Sequence, residues 1–194
     1  MIFLSGHKAN GKNTITDLLD KSGYLTFDTG PFIRNLREQY HLSSISTGEF
    51  VNYMKRRTGN SRWDDDLVAE ACLKEYPKNK NKKDIVISGY RSMEGIQYLS
   101  SKLNGSIFPD QGIHIWFVEC SPEVALQRFN LREGRIASLD DYLEICSQED
   151  SRGLIEIREH ADFFINNSFS EESLRQQIEG YLGSYTSSKN KEHE

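Results

Sequence analysis

The chain has few cysteines, no long apolar run, no surplus of positive charge and no internal repeat. Its three cysteines, Cys72, Cys120 and Cys146, lie far apart and form no C-x-x-C pair. An odd count without a metal pattern reads as reduced, mostly buried thiols of a cytosolic protein. The five histidines (His7, His41, His114, His160, His193) show no ligand spacing either. The apolar opening, MIFLSGHKANG, is too short for a secretory signal, and no stretch has the length of a membrane span. A soluble, cytoplasmic protein is therefore expected. The net charge of −5 argues against a nucleic-acid binder driven by bulk charge.

What is present is a globular composition. Apolar residues make up 37% and charged residues 27%, enough for a core and too little polarity for disorder. At 194 residues, one domain is expected. Short apolar runs alternate with helical spacing. MIFLS, YLTFD (24–28), DIVISGY (84–90), GIHIWFVEC (112–120) and ADFFINNS (161–168) read as strands. KNTITDLLDKS, much of 31–76, SMEGIQYLSSKL, SPEVALQRFNLR and SEESLRQQIEGYL read as helices, and Ser121 with Pro122 forms a helix start. Such alternation predicts parallel β-α-β units, whose ligands gather at the carboxyl ends of the strands. The polar segment GSYTSSKNKEHE, from about 184 to 194, is expected to be a mobile tail.

Four motifs fall at that edge. In SGHKANGKNT, Gly6, Gly11 and Lys12 have the G-x-x-x-x-G-K spacing of a phosphate loop, between a strand and a helix. Backbone N–H groups of Gly6, His7, Lys8, Ala9, Asn10 and Gly11, the helix start at Asn13 and Thr14, and the Lys12 charge would together hold phosphate. Asn13 stands where the motif has Ser or Thr, so magnesium would rest on Thr14, Asn13 and water. In FDTGPFIR, Asp28, Thr29 and Gly30 end a strand, and Arg34 follows one turn into a helix as an anion fork. In ISGYRSMEG, Ser88 occupies the place where P-loop enzymes often carry an acid, and Arg91 follows. In RFNLREGR, Arg128 and Arg132 share a helix face and Arg135 follows Gly134, three cations for a transferring phosphoryl group. Each motif also has a plainer reading: a capped helix, a solvated arginine, or an arginine face paired with Glu133, Asp140 and Asp141. The triplet Asp64, Asp65 and Asp66 reads as dipole partners at a helix start, and Trp63 as a partly buried packing residue.

Taken in order, these segments resemble the P-loop nucleoside and nucleotide kinase group, especially its dephospho-CoA kinase-like and monophosphate-kinase branches. SGHKANGKNT looks like the phosphate loop of that group. DTGPFIR resembles the acceptor element of cytidylate kinases, VISGYRSMEGIQYL the group's Val-Ile-Asp-Gly-x-Arg-Ser strand, RFNLREGR its lid, and EHADFFINNSFSEESLRQQI its closing segment. The resemblance implies a three-layer α/β/α P-loop NTPase fold over residues 1–183, with a mostly parallel five-stranded sheet. It also implies acceptor helices at about 31–76 and a lid at about 132–140. It gives Lys12, Arg34, Arg91, Arg128, Arg132 and Arg135 phosphate-contact roles, with ATP and Mg2+ as cofactors. The expected activity is phosphoryl transfer to a nucleoside or deoxynucleoside monophosphate by a monomer or homodimer. Two departures, Ser88 and Asn13, touch metal handling and keep open a nucleotide-binding regulatory or assembly protein without turnover. A nucleic-acid 5′-end kinase is disfavoured by the charge and by the acidic 64–66 segment.

Overall fold

In the computed structural model, residues 1–79, 81–104, 112–134 and 136–191 are described. The five apolar runs form strands β1 (Ile2–Ser5), β2 (Leu25–Asp28), β3 (Ile85–Ser88), β4 (His114–Glu119) and β5 (Phe163–Asn166). They make one sheet of order β2-β3-β1-β4-β5, parallel throughout.

Alternation along the strands explains the three layers. Phe3, Ile85, Ile87, Ile115 and Phe117 point to one face, against Val68, Cys72, Ile96, Leu99, Leu103 and Ile157. Ile2, Leu4, Val86, Trp116 and Val118 point to the other, against Ile15, Leu19, Leu174 and Ile178. The first face is covered by α4 (Trp63–Glu75), α5 (Met93–Leu103) and α8 (Ile155–Glu159). The second is covered by α1 (Lys12–Lys21) and α9 (Glu171–Lys191). A strand covered on both faces needs apolar residues at every position, which is why these runs are continuous rather than alternating.

Helices α2 (Thr29–Gln39), α3 (Thr47–Thr58) and α4 share a core of Ile33, Phe50, Met54 and Trp63. Trp63 packs edge-on to Phe50 and is buried, so it serves this core. Ser46 and Glu49 form a reciprocal capping box at the start of α3. Helix α6 (Pro122–Glu133) starts at the Ser121 cap with Pro122 in its first turn and stops at Gly134, whose φ is +63°. Helix α7 (Leu139–Glu149) then starts at Ser138, which bonds reciprocally with Asp141. The backbone of α9 stays helical to Lys191, into the segment expected to be a polar tail. Extending an existing helix adds one hydrogen bond per residue fixed, even where the sequence is polar. Among the described residues, no helix is long and apolar enough to cross a membrane.

Because all strands run the same way, Ser5, Asp28, Ser88, Glu119 and Asn166 end on one edge. Asp28 pairs in register with Ser88, and Glu119 with Asn166.

Candidate active site

The loop after β1 is bent into shape by backbone needs that few residues meet. Gly6 has φ +141°, and a Cβ there would lie 2.5 Å from the Val118 carbonyl oxygen. Gly11 has φ +86°, and a Cβ there would run into the Asn167 side-chain amide. Side chains then fasten the loop to its surroundings. The buried Asn10 amide donates to the Val118 carbonyl at 2.9 Å, and Asn167 Nδ2 donates to the Asn10 carbonyl at 2.8 Å. Tyr142 Oη donates to the Lys8 carbonyl at 2.7 Å. Helix α1 begins at Gly11 with no side-chain cap, so its first-turn N–H groups stay available to an anion.

Lys12 lies half-buried beneath this loop, donating to the Gly6 and His7 carbonyls at 2.6 and 2.9 Å. Burial, then the neighbouring Arg91, bring its pKa from 10.5 down to about 8. Glu149 and Asp28 act in the opposite direction, and Arg132 adds to the lowering. Four charged residues from separate parts of the sequence therefore act on one ammonium: Asp28 ends β2, Arg91 follows β3, Arg132 lies on α6 and Glu149 ends α7.

The turn from β2 into α2 is compact. Asp28 caps α2 by accepting from Gly30 N at 3.0 Å. A Cβ on Gly30 would sit 3.4 Å from Asp28 Oδ1 and 3.3 Å from Arg34 Nη1, so Gly30 lets these two groups close around it. The Arg34 side chain is exposed. Thr29 differs from the expectation of a substrate contact, because its buried hydroxyl donates to the Ser88 carbonyl at 2.8 Å and ties β2 to β3. Gly89, at φ +103°, makes room for that hydroxyl.

The arginines of α6 take different partners. Arg132 bonds Glu133 through Nε at 3.1 Å while remaining close enough to act on Lys12. Arg128 turns the other way and donates to the Asn167 carbonyl at 2.9 Å and to Cys120 Sγ at 3.4 Å, beside Gly11. Arg135 lies outside the described residues. Two loop side chains are also engaged: Lys8 pairs with Glu133 at 3.4 Å, and His7 Nε2 meets Asp150 Oδ1 at 2.8 Å.

Sequence reasoning missed Glu149. It is buried, accepts from Lys8 N at 2.8 Å and pairs with Arg91 Nη2 at 2.7 Å. A π-helical turn, Asp150–Leu154, follows it. Within that turn Gly153 has φ +107°, and a Cβ there would lie 3.0 Å from the Arg91 carbonyl oxygen. A glycine inside a helical run was the available signal, since it marks close backbone approach.

Residues that suit a magnesium ion are few but suitably placed. Asn13 and Thr14 are exposed on the first turn of α1. Ser88 Oγ is buried and has no hydrogen-bond partner among the described residues. Magnesium keeps much of its water shell, so sparse protein ligands fit it. Asp64, Asp65 and Asp66 are occupied elsewhere: Asp64 pairs with Lys55, Asp65 with Arg62, and Asp66 accepts from Asn60 and Tyr98. Among the described residues no group of three or more His, Cys, Asp or Glu is arranged to hold a metal.

This strand order and loop can be set beside solved structures. A gluconokinase from Sinorhizobium meliloti 1021 superposes with a TM-score of 0.58 at 13% identity, covering 98% of this chain and 95% of that one. A shikimate kinase from Bacteroides thetaiotaomicron gives 0.57 at 16% identity, covering 94% and 97%. The chain shares with them a P-loop α/β/α fold. No protein-family model matches the chain. Among curated proteins it is 27% identical over 182 residues to the UPF0200 protein PAE1629 of Pyrobaculum aerophilum, covering 92% of this chain and 94% of that protein. It is 24% identical over 187 residues to a UPF0200/UPF0201 protein of Archaeoglobus fulgidus, of which it spans about half the length, 54%.

Proposed function

We propose that this P-loop kinase fold transfers the γ-phosphoryl group of ATP to a small anionic acceptor, a nucleoside or deoxynucleoside monophosphate in the first instance. The observation that carries this reading is the convergence of Asp28, Arg91 and Arg132 on Lys12 beneath an uncapped helix start. The solved neighbours named as a gluconokinase and a shikimate kinase support small-molecule phosphoryl transfer as the general chemistry.

In this reading the loop N–H groups and Lys12 bind the β- and γ-phosphates. Gathering phosphate oxygens around Lys12 restores its full charge. Arg91 and Arg132 neutralise charge that develops on the transferring group, and Arg34 anchors the acceptor anion. Thr14 and Asn13, with water, would hold a magnesium ion, which would supply Lewis-acid charge neutralisation. A phosphate acceptor arrives ionised and needs no base. For an alcohol acceptor Asp28 would take the proton, and its position at the strand edge beside Lys12 favours this as the second reading.

The test is ATP-dependent ADP release with magnesium, run over nucleoside and deoxynucleoside monophosphates, dephospho-CoA and short 5′-hydroxyl oligonucleotides, with Lys12→Ala as control. Acceptor-dependent turnover that the control lacks is the expected result. Tight ATP binding without turnover on any acceptor would replace it with a regulatory, nucleotide-binding role.

A further inference from the structure

Three cations around a phosphate site repel one another before any phosphate arrives. Arg91 and Arg132 both disfavour the charge on Lys12. Arg91 is about half exposed, with a side-chain accessibility of 45%, so nothing in its own packing prevents it from swinging into water. A carboxylate among them would offset that repulsion. Here β3 ends in Ser88, whose buried hydroxyl holds nothing among the described residues.

Glu149 brings a carboxylate to Arg91 and the loop from another element. Its side chain is 6% exposed and both oxygens are engaged, one by the Lys8 N–H of the loop and the other by Arg91 Nη2. The backbone is matched to the same contact, because Gly153 in the following π-turn lies against the Arg91 carbonyl. One segment, 149–153, thus pairs with the Arg91 guanidinium and runs close to its carbonyl. Among the groups acting on Lys12, which come from β2, the β3 end, α6 and α7, Glu149 and Asp28 are the two that favour its charge.

We infer that Glu149 is the positioning residue of this site: its carboxylate, supplied by the end of α7, fixes Arg91 and the phosphate loop against each other around Lys12. The inference rests on the proposed phosphoryl transfer for its kinetic consequence, but not for its geometry. A preorganised cation needs no rearrangement as charge develops, whereas a misplacement of about 1 Å can cost on the order of 100-fold in rate. Glu149 touches neither reacting phosphate nor acceptor in this scheme; it acts through Arg91 and the loop.

Two measurements on the full chain test it. The first is kinetic, with Glu149→Gln, Arg91→Ala and the double variant. Glutamine can still accept from the Lys8 N–H, so it removes the charge while sparing the loop contact. The expected result is a fall in kcat of roughly 10- to 100-fold for each single variant, with the KM for ATP changed less than about threefold. The double variant is expected to be no slower than the worse single one, as for residues acting as a unit. Multiplying losses, an unchanged kcat in Glu149→Gln, or ATP binding tightened tenfold as for a displaced plug would each overturn it.

The second needs no turnover: 15N-detected hydrogen exchange of the Arg91 guanidinium, assigned by its absence in Arg91→Ala. Its N–H groups, held by Glu149 in the wild type, should exchange with water at least tenfold faster in Glu149→Gln. Unchanged exchange in Glu149→Gln overturns the inference whatever the kinetics. Absence of turnover in the wild type with this exchange difference intact would instead count against phosphoryl transfer alone.

Discussion

Tyr142 and Lys8, 134 residues apart in sequence, are joined by a 2.7 Å hydrogen bond from the tyrosine hydroxyl to the loop carbonyl. Asn167 also donates to the Asn10 carbonyl, and the loop's own Asn10 side chain bonds the Val118 carbonyl, so two outside side chains and one of the loop's own anchor it. The phosphate loop is therefore shaped by its neighbours as much as by its glycines. Removing Tyr142 Oη in Tyr142→Phe should cost about 1 kcal/mol in chemical denaturation. Asn10→Ala leaves the buried Val118 carbonyl without that donor and should cost more, roughly 1–3 kcal/mol. Equal, negligible effects would mean that the loop holds its shape unaided.

Gly6 is constrained by the neighbouring strand. Its φ of +141° and the 2.5 Å approach to the Val118 carbonyl leave no space for a methyl group, and the obstacle is backbone. Gly6→Ala should lose roughly 2–4 kcal/mol of stability, read from the shift of the denaturation midpoint, and nucleotide binding with it. A Gly6→Ala protein as stable as the wild type would show that β1 and β4 can separate here.

Lys12 gives a pH-dependent prediction. Its folded pKa of about 8 lies below the value of 10.5 expected without these neighbours, so the folded ligand-free protein holds this proton less tightly than the unfolded chain. That penalty is complete below about pH 8 and vanishes above 10.5. Lys12→Met should therefore raise the stability of the ligand-free protein at pH 7, by about 1–2 kcal/mol after solvent screening. The gain should shrink steadily between pH 8 and 10.5. Melting curves across that range check both the sign and the window.

Ser88 separates ligand-free stability from function. Its hydroxyl is buried without a partner among the described residues, so Ser88→Ala should be neutral or stabilising by about 1 kcal/mol in the ligand-free protein. If that hydroxyl contacts the water shell of magnesium, the same variant should need more magnesium for half-maximal turnover. A magnesium dependence identical to wild type would remove Ser88 from the metal site.

The sheet was legible because strands covered on both faces require unbroken apolar runs, as in GIHIWFVEC and DIVISGY. The bend between β1 and α1 was legible because Gly6 and Gly11 concentrate its backbone needs in one short stretch. The partners that shape the loop were not. Glu149 meets Lys8 across 141 residues, and at a helix end an acid looks like any solvated charge until its partners are known. The spacing of Arg128 and Arg132 placed them on one face, but the direction of the Arg128 guanidinium was set by the Asn167 carbonyl. Thr29 had the type and place of a ligand contact, yet its hydroxyl went to the neighbouring strand.

The central claim, that Lys12 organises a nucleotide-phosphate site, is tested most directly by calorimetry of ATP with magnesium at pH 8, in two buffers of different ionisation enthalpy. Phosphate oxygens that restore the lysine's charge must draw a proton from the buffer, about half a proton per ATP at that pH. The account predicts saturable binding with buffer-dependent enthalpy in the wild type, and binding at least tenfold weaker without proton uptake in Lys12→Met. Absence of ATP binding, or equal affinity in both proteins with no buffer dependence, would contradict it.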